Sequence, residues 1–154
     1  MPPRRAEDAR KRAAAGGAPP EPGLYAWWLA DRGALPDVPL AAVEGRPEWL
    51  LYVGIAPSRP GSRQTLRGRI CGNHLRGNIT GSTFRLSLAA LLWQQEEWAL
   101  RRRNNRVLLA PEANAALTAW QAEHLRVSWS TNARPWDIEQ QVIKALARVR
   151  QFGA

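Results

Sequence analysis

The sequence is short of several things at once, and each shortage removes a class of protein. It has one cysteine, Cys71, which excludes an internal disulfide framework and any zinc site built from several thiolates. The simplest compartment is therefore cytoplasmic. No apolar run approaches the roughly 18–20 residues that a membrane-spanning helix requires, so no membrane association is expected. The N-terminus is basic (Arg4, Arg5, Arg10, Lys11, Arg12) but no apolar stretch follows it, which is not the pattern of a secretory signal. Lysine is nearly missing, with only Lys11 and Lys144 among the cations, so almost every positive charge is an arginine.

The most telling shortage is of acid. Between Trp49 and Trp93 there is no Asp or Glu, while Arg59, Arg63, Arg67, Arg69, Arg76 and Arg85 fall in that stretch. A solvated surface normally mixes both signs, so a long one-signed run implies an anion nearby. With a net charge of +9 over 154 residues, the partner expected is a polyanion held through counterion release. Nucleic acid is the polyanion expected, and Arg63, Arg67, Arg76 and Arg85 are expected to bind its phosphates. What the chain does have is 45% apolar residues, enough for one globular domain with a core.

Residues 1–22, rich in Pro, Ala, Gly and Arg, read as a flexible basic tail with room for a helical turn over residues 6–14. The domain proper is expected over 23–150. Residues 23–29 are aromatic and apolar, bounded by Pro22 and Gly33, which is a strand signal. A loop with Pro36, Pro39, Gly45 and Pro47 leads to a second strand over 49–55, and two adjacent strands most simply pair antiparallel. The period then changes. Leu66 and Ile70 are four apart, with Arg69 and Asn73 on neighbouring positions, predicting a short amphipathic helix. Ser82 or Thr83 caps a helix with the stripe Phe84, Leu88, Leu91 and Leu92. Residues 101–106 read as a turn or an exposed basic connection. Pro111 and Glu112 open a helix to about His124, residues 125–130 alternate as a third strand, and Pro135 opens a last helix to about Val149. Most of the eight tryptophans fit core positions, and an exposed one such as Trp27 or Trp28 could stack on a base.

Three features carry chemistry. The only two tyrosines, Tyr25 and Tyr52, each sit in a core strand beside a glycine; singly, a strand tyrosine is usually a packing residue with its hydroxyl at the rim. Glu139 lies three residues after Trp136 and four before Ile143, with Leu146 a turn further on, so it points where the last helix must pack. A buried carboxylate there needs a cation, either an arginine or a divalent metal of the kind that takes one carboxylate plus phosphate and water. Arg69, on the helix after the second strand, could clamp a phosphate oxygen with its planar fork.

Gly23-Leu24-Tyr25 and Tyr52-Val53-Gly54 resemble the two halves of the GIY-YIG nuclease motif. Arg69 and Glu139 follow in the order of that family's Arg and Glu. The segments around Asn73-His74 and Ser82-Thr83-Phe84-Arg85 are similar to a small, stand-alone bacterial subgroup. The resemblance runs from Gly23 to about Leu146. It implies an α+β fold, a small three-stranded antiparallel sheet flanked by helices, which matches the element order above. It also implies an endonuclease that leaves 5′-phosphate and 3′-hydroxyl ends. By it, Glu139 holds the single metal, Mg²⁺ or Mn²⁺; Arg69 neutralises charge on the phosphate; Tyr25 and Tyr52 position or deprotonate the attacking water; and His74 assists. Either a separate partner protein would supply targeting, or the enzyme would recognise nucleic-acid structure weakly. The position four after Arg69, often Tyr or His in the family, is Asn73; His74 comes one place late, and a bulge near Gly72 would bring it in. Ile55 stands where many members carry Lys, and no Asn follows Glu139. These gaps support the rival reading, a catalytically inactive nucleic-acid-binding module of the same fold.

Overall fold

The aromatic run that opens the domain becomes the centre of the sheet. The computed structural model describes residues 4–5, 18–36 and 38–152, with side chains described over 18–36 and 38–145. In chain order the strands are β1 (Arg4–Arg5), β2 (Gly23–Leu29), β3 (Ala41–Ala42), β4 (Trp49–Ala56), β5 (Leu100–Arg103), β6 (Arg106–Leu109) and β7 (Leu125–Thr131). The helices are α1 (Gly68–Leu75), α2 (Thr83–Glu96), α3 (Pro111–His124) and α4 (Pro135–Phe152). The main sheet has the order β1-β7-β2-β4-β3, and β5 and β6 form a separate hairpin. Every pairing is antiparallel.

The three long strands are those expected, and the sheet is wider than expected by one two-residue strand at each edge. Arg4 and Arg5 pair with Val127 and Arg126, inside the stretch read as a flexible tail. Ala18 is also buried, and the carbonyls of Pro19 and Glu21 accept from the Arg67 and Leu66 amides. The packed domain therefore reaches back beyond Gly23. Such pairing uses only backbone groups and covers an otherwise open sheet edge, so no side-chain pattern announces it. The helical turn expected over 6–14 falls outside the described residues.

Side chains alternate across β2. Tyr25, Trp27 and Leu29 point to one face and join the core with Ile70, Phe84 and Leu88; the Trp27 ring stacks on Phe84 at 5.1 Å. Trp28 points to the other face, where its indole Nε1 donates to Ser128 Oγ at 2.9 Å. Both tryptophans are packed, at 0% and 5% exposure, so neither is available to stack on a base. The exposed indole among the described residues is Trp93, on α2.

The arginine-rich stretch read as a turn or connection is a hairpin. Asn104 and Asn105 take φ of 48° and 61°, the left-handed pair that closes a two-residue turn with the twist a hairpin needs. Helix α1 departs from the expected α geometry and is wound as a π-helix. The last helix buries less than its pattern suggested: Ile143 is 49% exposed, Glu139 and Trp136 are half-buried, and the Leu146 side chain lies outside the described residues. No described helix is long and apolar enough to cross a membrane.

Candidate active site

Register brings the two tyrosines together. Tyr25 pairs with Gly54, and Tyr52 pairs with Trp27, so the tyrosines are diagonal neighbours on one face of adjacent strands, with ring centroids 6.3 Å apart. The second glycine is what lets them approach. A methyl group at Gly54 would overlap the Tyr25 phenol itself. Gly23 meets a different constraint, because a side chain there would run into the Ser130 carbonyl on β7 and the Leu66 side chain.

The π-helix supplies the next two groups. With i→i+5 bonding, residues five apart lie one above the other, as residues four apart do in an α-helix. Arg69 and His74 are five apart and line the same cavity. The lateness of His74 in sequence is thus absorbed by extra winding along the whole of α1 rather than by a point bulge. Tyr25 Oη and His74 Nε2 are 2.7 Å apart, and His74 Nδ1 and Ser82 Oγ are also 2.7 Å apart. Ser82 is the N-cap of α2, its Oγ accepting from the Arg85 amide at 3.1 Å. One ring nitrogen of a neutral imidazole donates and the other accepts, so a continuous chain of hydrogen bonds runs from the sheet tyrosine to the cap of α2.

Burial sets the protonation of this chain. His74 is 2% exposed, and its pKa falls to about 3 because burial, then Arg69, then Arg85 disfavour a second proton. The imidazole is therefore neutral at any ordinary pH. Burial pushes the Tyr25 phenol above its usual value; neighbouring Tyr52 adds to this, and Arg69 opposes it without prevailing. Neither group is a base poised near neutrality.

Arg69 is half-buried, and its Nε is enclosed without a hydrogen-bond partner among the described residues. Such an orphaned donor is costly unless something else accepts from it. Tyr25, Tyr52, Arg69, His74 and Glu139 all line one cavity of about 320 Å³, which also touches Ile55 and Ser82. Glu139 is its one carboxylate, and no cluster of three or more His, Cys, Asp or Glu side chains exists among the described residues. That donor set suits a hard divalent ion completed by phosphate oxygens and water, and does not suit a closed zinc site. A larger cavity of about 660 Å³ between α2 and the hairpin, lined by Leu86, Trp93, Trp98 and Val107, holds no comparable set.

The expected phosphate-binding arginines separate. Arg63 and Arg76 are exposed; Arg67 is half-buried, with its Nε on the Ala18 carbonyl at 2.9 Å. Arg85 is not a surface residue at all. It is 0% exposed and donates to Gln121 Oε1 at 2.7 Å, Thr118 Oγ1 at 3.0 Å and Asn114 Oδ1 at 2.9 Å. It also donates to the carbonyls of His74 and Leu75, at 3.2 and 3.3 Å. Burial lowers its pKa to about 10, which leaves it charged. Its place is the carboxyl end of α1, where a cation suits the free carbonyls. Gln121 completes the clamp, its Nε2 donating to the His74 carbonyl at 2.9 Å. Sequence reasoning missed Gln121 and the link from Ser82 to His74. Ser82 was legible as a cap, whereas a polar residue on an otherwise ordinary helix gave Gln121 no signal.

The family model for the GIY-YIG catalytic domain matches residues 23–149, a span that contains both tyrosine strands, the π-helix and Glu139. No curated protein and no solved structure matches the chain. The paired strand tyrosines, the arginine one helix later and the glutamate near the end are thus found within one family match as well as in one cavity, and the chain belongs to the GIY-YIG catalytic domain family.

Proposed function

We propose that this protein is a metal-dependent endonuclease that hydrolyses phosphodiester bonds in nucleic acid, with DNA as the expected substrate and the cytoplasm as the setting. One observation supports this above the others: residues as far apart as Tyr25 and Glu139 converge in one cavity with Arg69, whose Nε has no hydrogen-bond partner among the described residues. In this reading the Arg69 guanidinium binds a non-bridging phosphate oxygen and neutralises charge that grows there as the bond breaks. Glu139 holds Mg²⁺ or Mn²⁺, which when bound polarises the phosphate as a Lewis acid. Tyr25 stays protonated because burial raises its pKa, so its part is to orient the attacking water rather than to deprotonate it. Tyr52, half-buried beside it, completes the wall on which that water rests. His74 fixes the Tyr25 hydroxyl and acts as a positioning residue.

The test is cleavage of labelled single-stranded, duplex, nicked and branched DNA, and of RNA, in Mg²⁺, Mn²⁺ or EDTA, with wild type beside Glu139→Ala. Metal-dependent cutting by wild type alone, with binding kept by the variant, is the expected result. Cutting that survives Glu139→Ala removes the metal-ligand role. Ile55 lines the cavity at the place where many family members carry Lys, and this favours the second reading, a binding module without catalysis. Salt-sensitive binding with no cutting by wild type would select it.

A further inference from the structure

The β5–β6 hairpin does not line the cavity that holds Tyr25 and Glu139, yet it concentrates positive charge on the surface. Arg101, Arg102, Arg103 and Arg106 are all exposed, and the run from Trp98 to Pro111 contains no acid. None of the four forms an ion pair with a described carboxylate. Alternation places Arg101 and Arg103 on one face of β5, and register sets Arg106 opposite Arg103. Three guanidinium groups therefore share one side of a short ribbon.

Two independent observations tie that side to the cavity. Thr80 lines the cavity holding Tyr25 and Glu139, and it also lines a second one, of about 380 Å³, walled by Arg103, Asn104 and Arg106. Thr80 thus forms part of the wall of both spaces. Just before it, Asn78 locks the loop to the hairpin: its Oδ1 accepts from the Leu109 amide at 3.1 Å and its Nδ2 donates to the Leu109 carbonyl at 3.3 Å. The hairpin is closed at its base by Ala110 N donating to the Ala99 carbonyl at 2.9 Å. It is an arm fastened to the loop that leads to Thr80, not a loose loop.

We infer that the Arg101–Arg103–Arg106 face of this hairpin is a second nucleic-acid site, gripping the phosphate backbone that leaves the cavity across Thr80. The inference rests on the nuclease reading for the position of the cut strand, and on the hairpin alone for the grip. Each phosphate contact on duplex DNA contributes about 0.9 to the slope of log affinity against log salt. Arg101→Ala/Arg103→Ala/Arg106→Ala should therefore flatten that slope by about 2 to 3 on a labelled DNA duplex in EDTA. In Mg²⁺ the same variant should raise KM while leaving kcat within about twofold of wild type, since only uniform binding is lost. The corresponding triple Lys variant should keep the slope. Should the triple Ala variant fail to fold, Arg103→Ala and Arg106→Ala singly should each flatten it by about 0.9. An unchanged slope in folded variants overturns the inference. Because binding is read in EDTA and cleavage in Mg²⁺, a wild type that binds steeply but cuts nothing counts against the nuclease reading alone.

Discussion

At the scale of single residues, the cavity separates groups that act from groups that hold. Arg69 lines the cavity; on the proposed nuclease reading Arg69→Ala should lower kcat by about 10²–10³, the range for losing one transition-state hydrogen-bond donor. Single-turnover cleavage measures it; unchanged turnover would take Arg69 out of the site. His74 lies among the rings of Tyr25, Tyr52 and Phe84 and is neutral down to a pKa of about 3. The pH–rate profile should accordingly show no limb near 6.5, where an ordinary histidine would titrate. A limb there that disappears in His74→Gln would contradict a pure positioning role.

At the scale of elements, the decisive piece is the carboxyl end of α1. Arg85 from α2 and Gln121 from α3 both hold the His74 carbonyl, so three helices are fastened at the point from which the imidazole reaches Tyr25. Arg85→Leu strands several buried acceptors, and a loss of roughly 3 kcal/mol of stability is expected, read by denaturant unfolding. The salt slope of DNA binding by the folded fraction should not move, whereas a flatter slope would return Arg85 to the surface role first assigned to it. A hint of its burial was present, since Arg85 precedes Ala89 by four and Leu92 by seven, and both are buried; charge alone had argued for exposure. The long strands were legible because aromatic runs end at Gly and Pro. The edge pairs at Arg4–Arg5 and Ala41–Ala42 were not, because two residues carry no period. The winding of α1 was hidden for a similar reason: Leu66 and Ile70, four apart, fit an α-helix equally well. Tyr25, Tyr52, Arg69 and Glu139 could be named from motif order, but the chain from Tyr25 through His74 to Ser82 depends on winding and capping together.

At the scale of the whole molecule, neutral His74 makes stability depend on pH. In the unfolded chain this histidine takes up a proton below about 6.5, while in the folded protein it does so only near 3. Between those values the unfolded state binds more protons, so stability falls as pH drops through that window and is fully present above it. The loss should amount to a few kcal/mol at most, on the order set by the shift, and His74→Gln should remove much of this acid sensitivity in urea melts at pH 7 and pH 4.5. An equal pH dependence in both proteins would mean that the imidazole is not held neutral.

The order of the sheet has one more consequence, for synthesis rather than for chemistry. The central strand, β2, is made early, and one of its two long neighbours, β7, comes near the end; the Trp28–Ser128 bond spans 100 residues of sequence. Until β7 leaves the ribosome, the nascent chain carries a tryptophan-rich strand with one edge open, the kind of intermediate that sticks to other chains. Of the described strands, the one made last therefore completes the centre of the sheet, and termination before it would leave an aggregating fragment rather than a smaller folded domain.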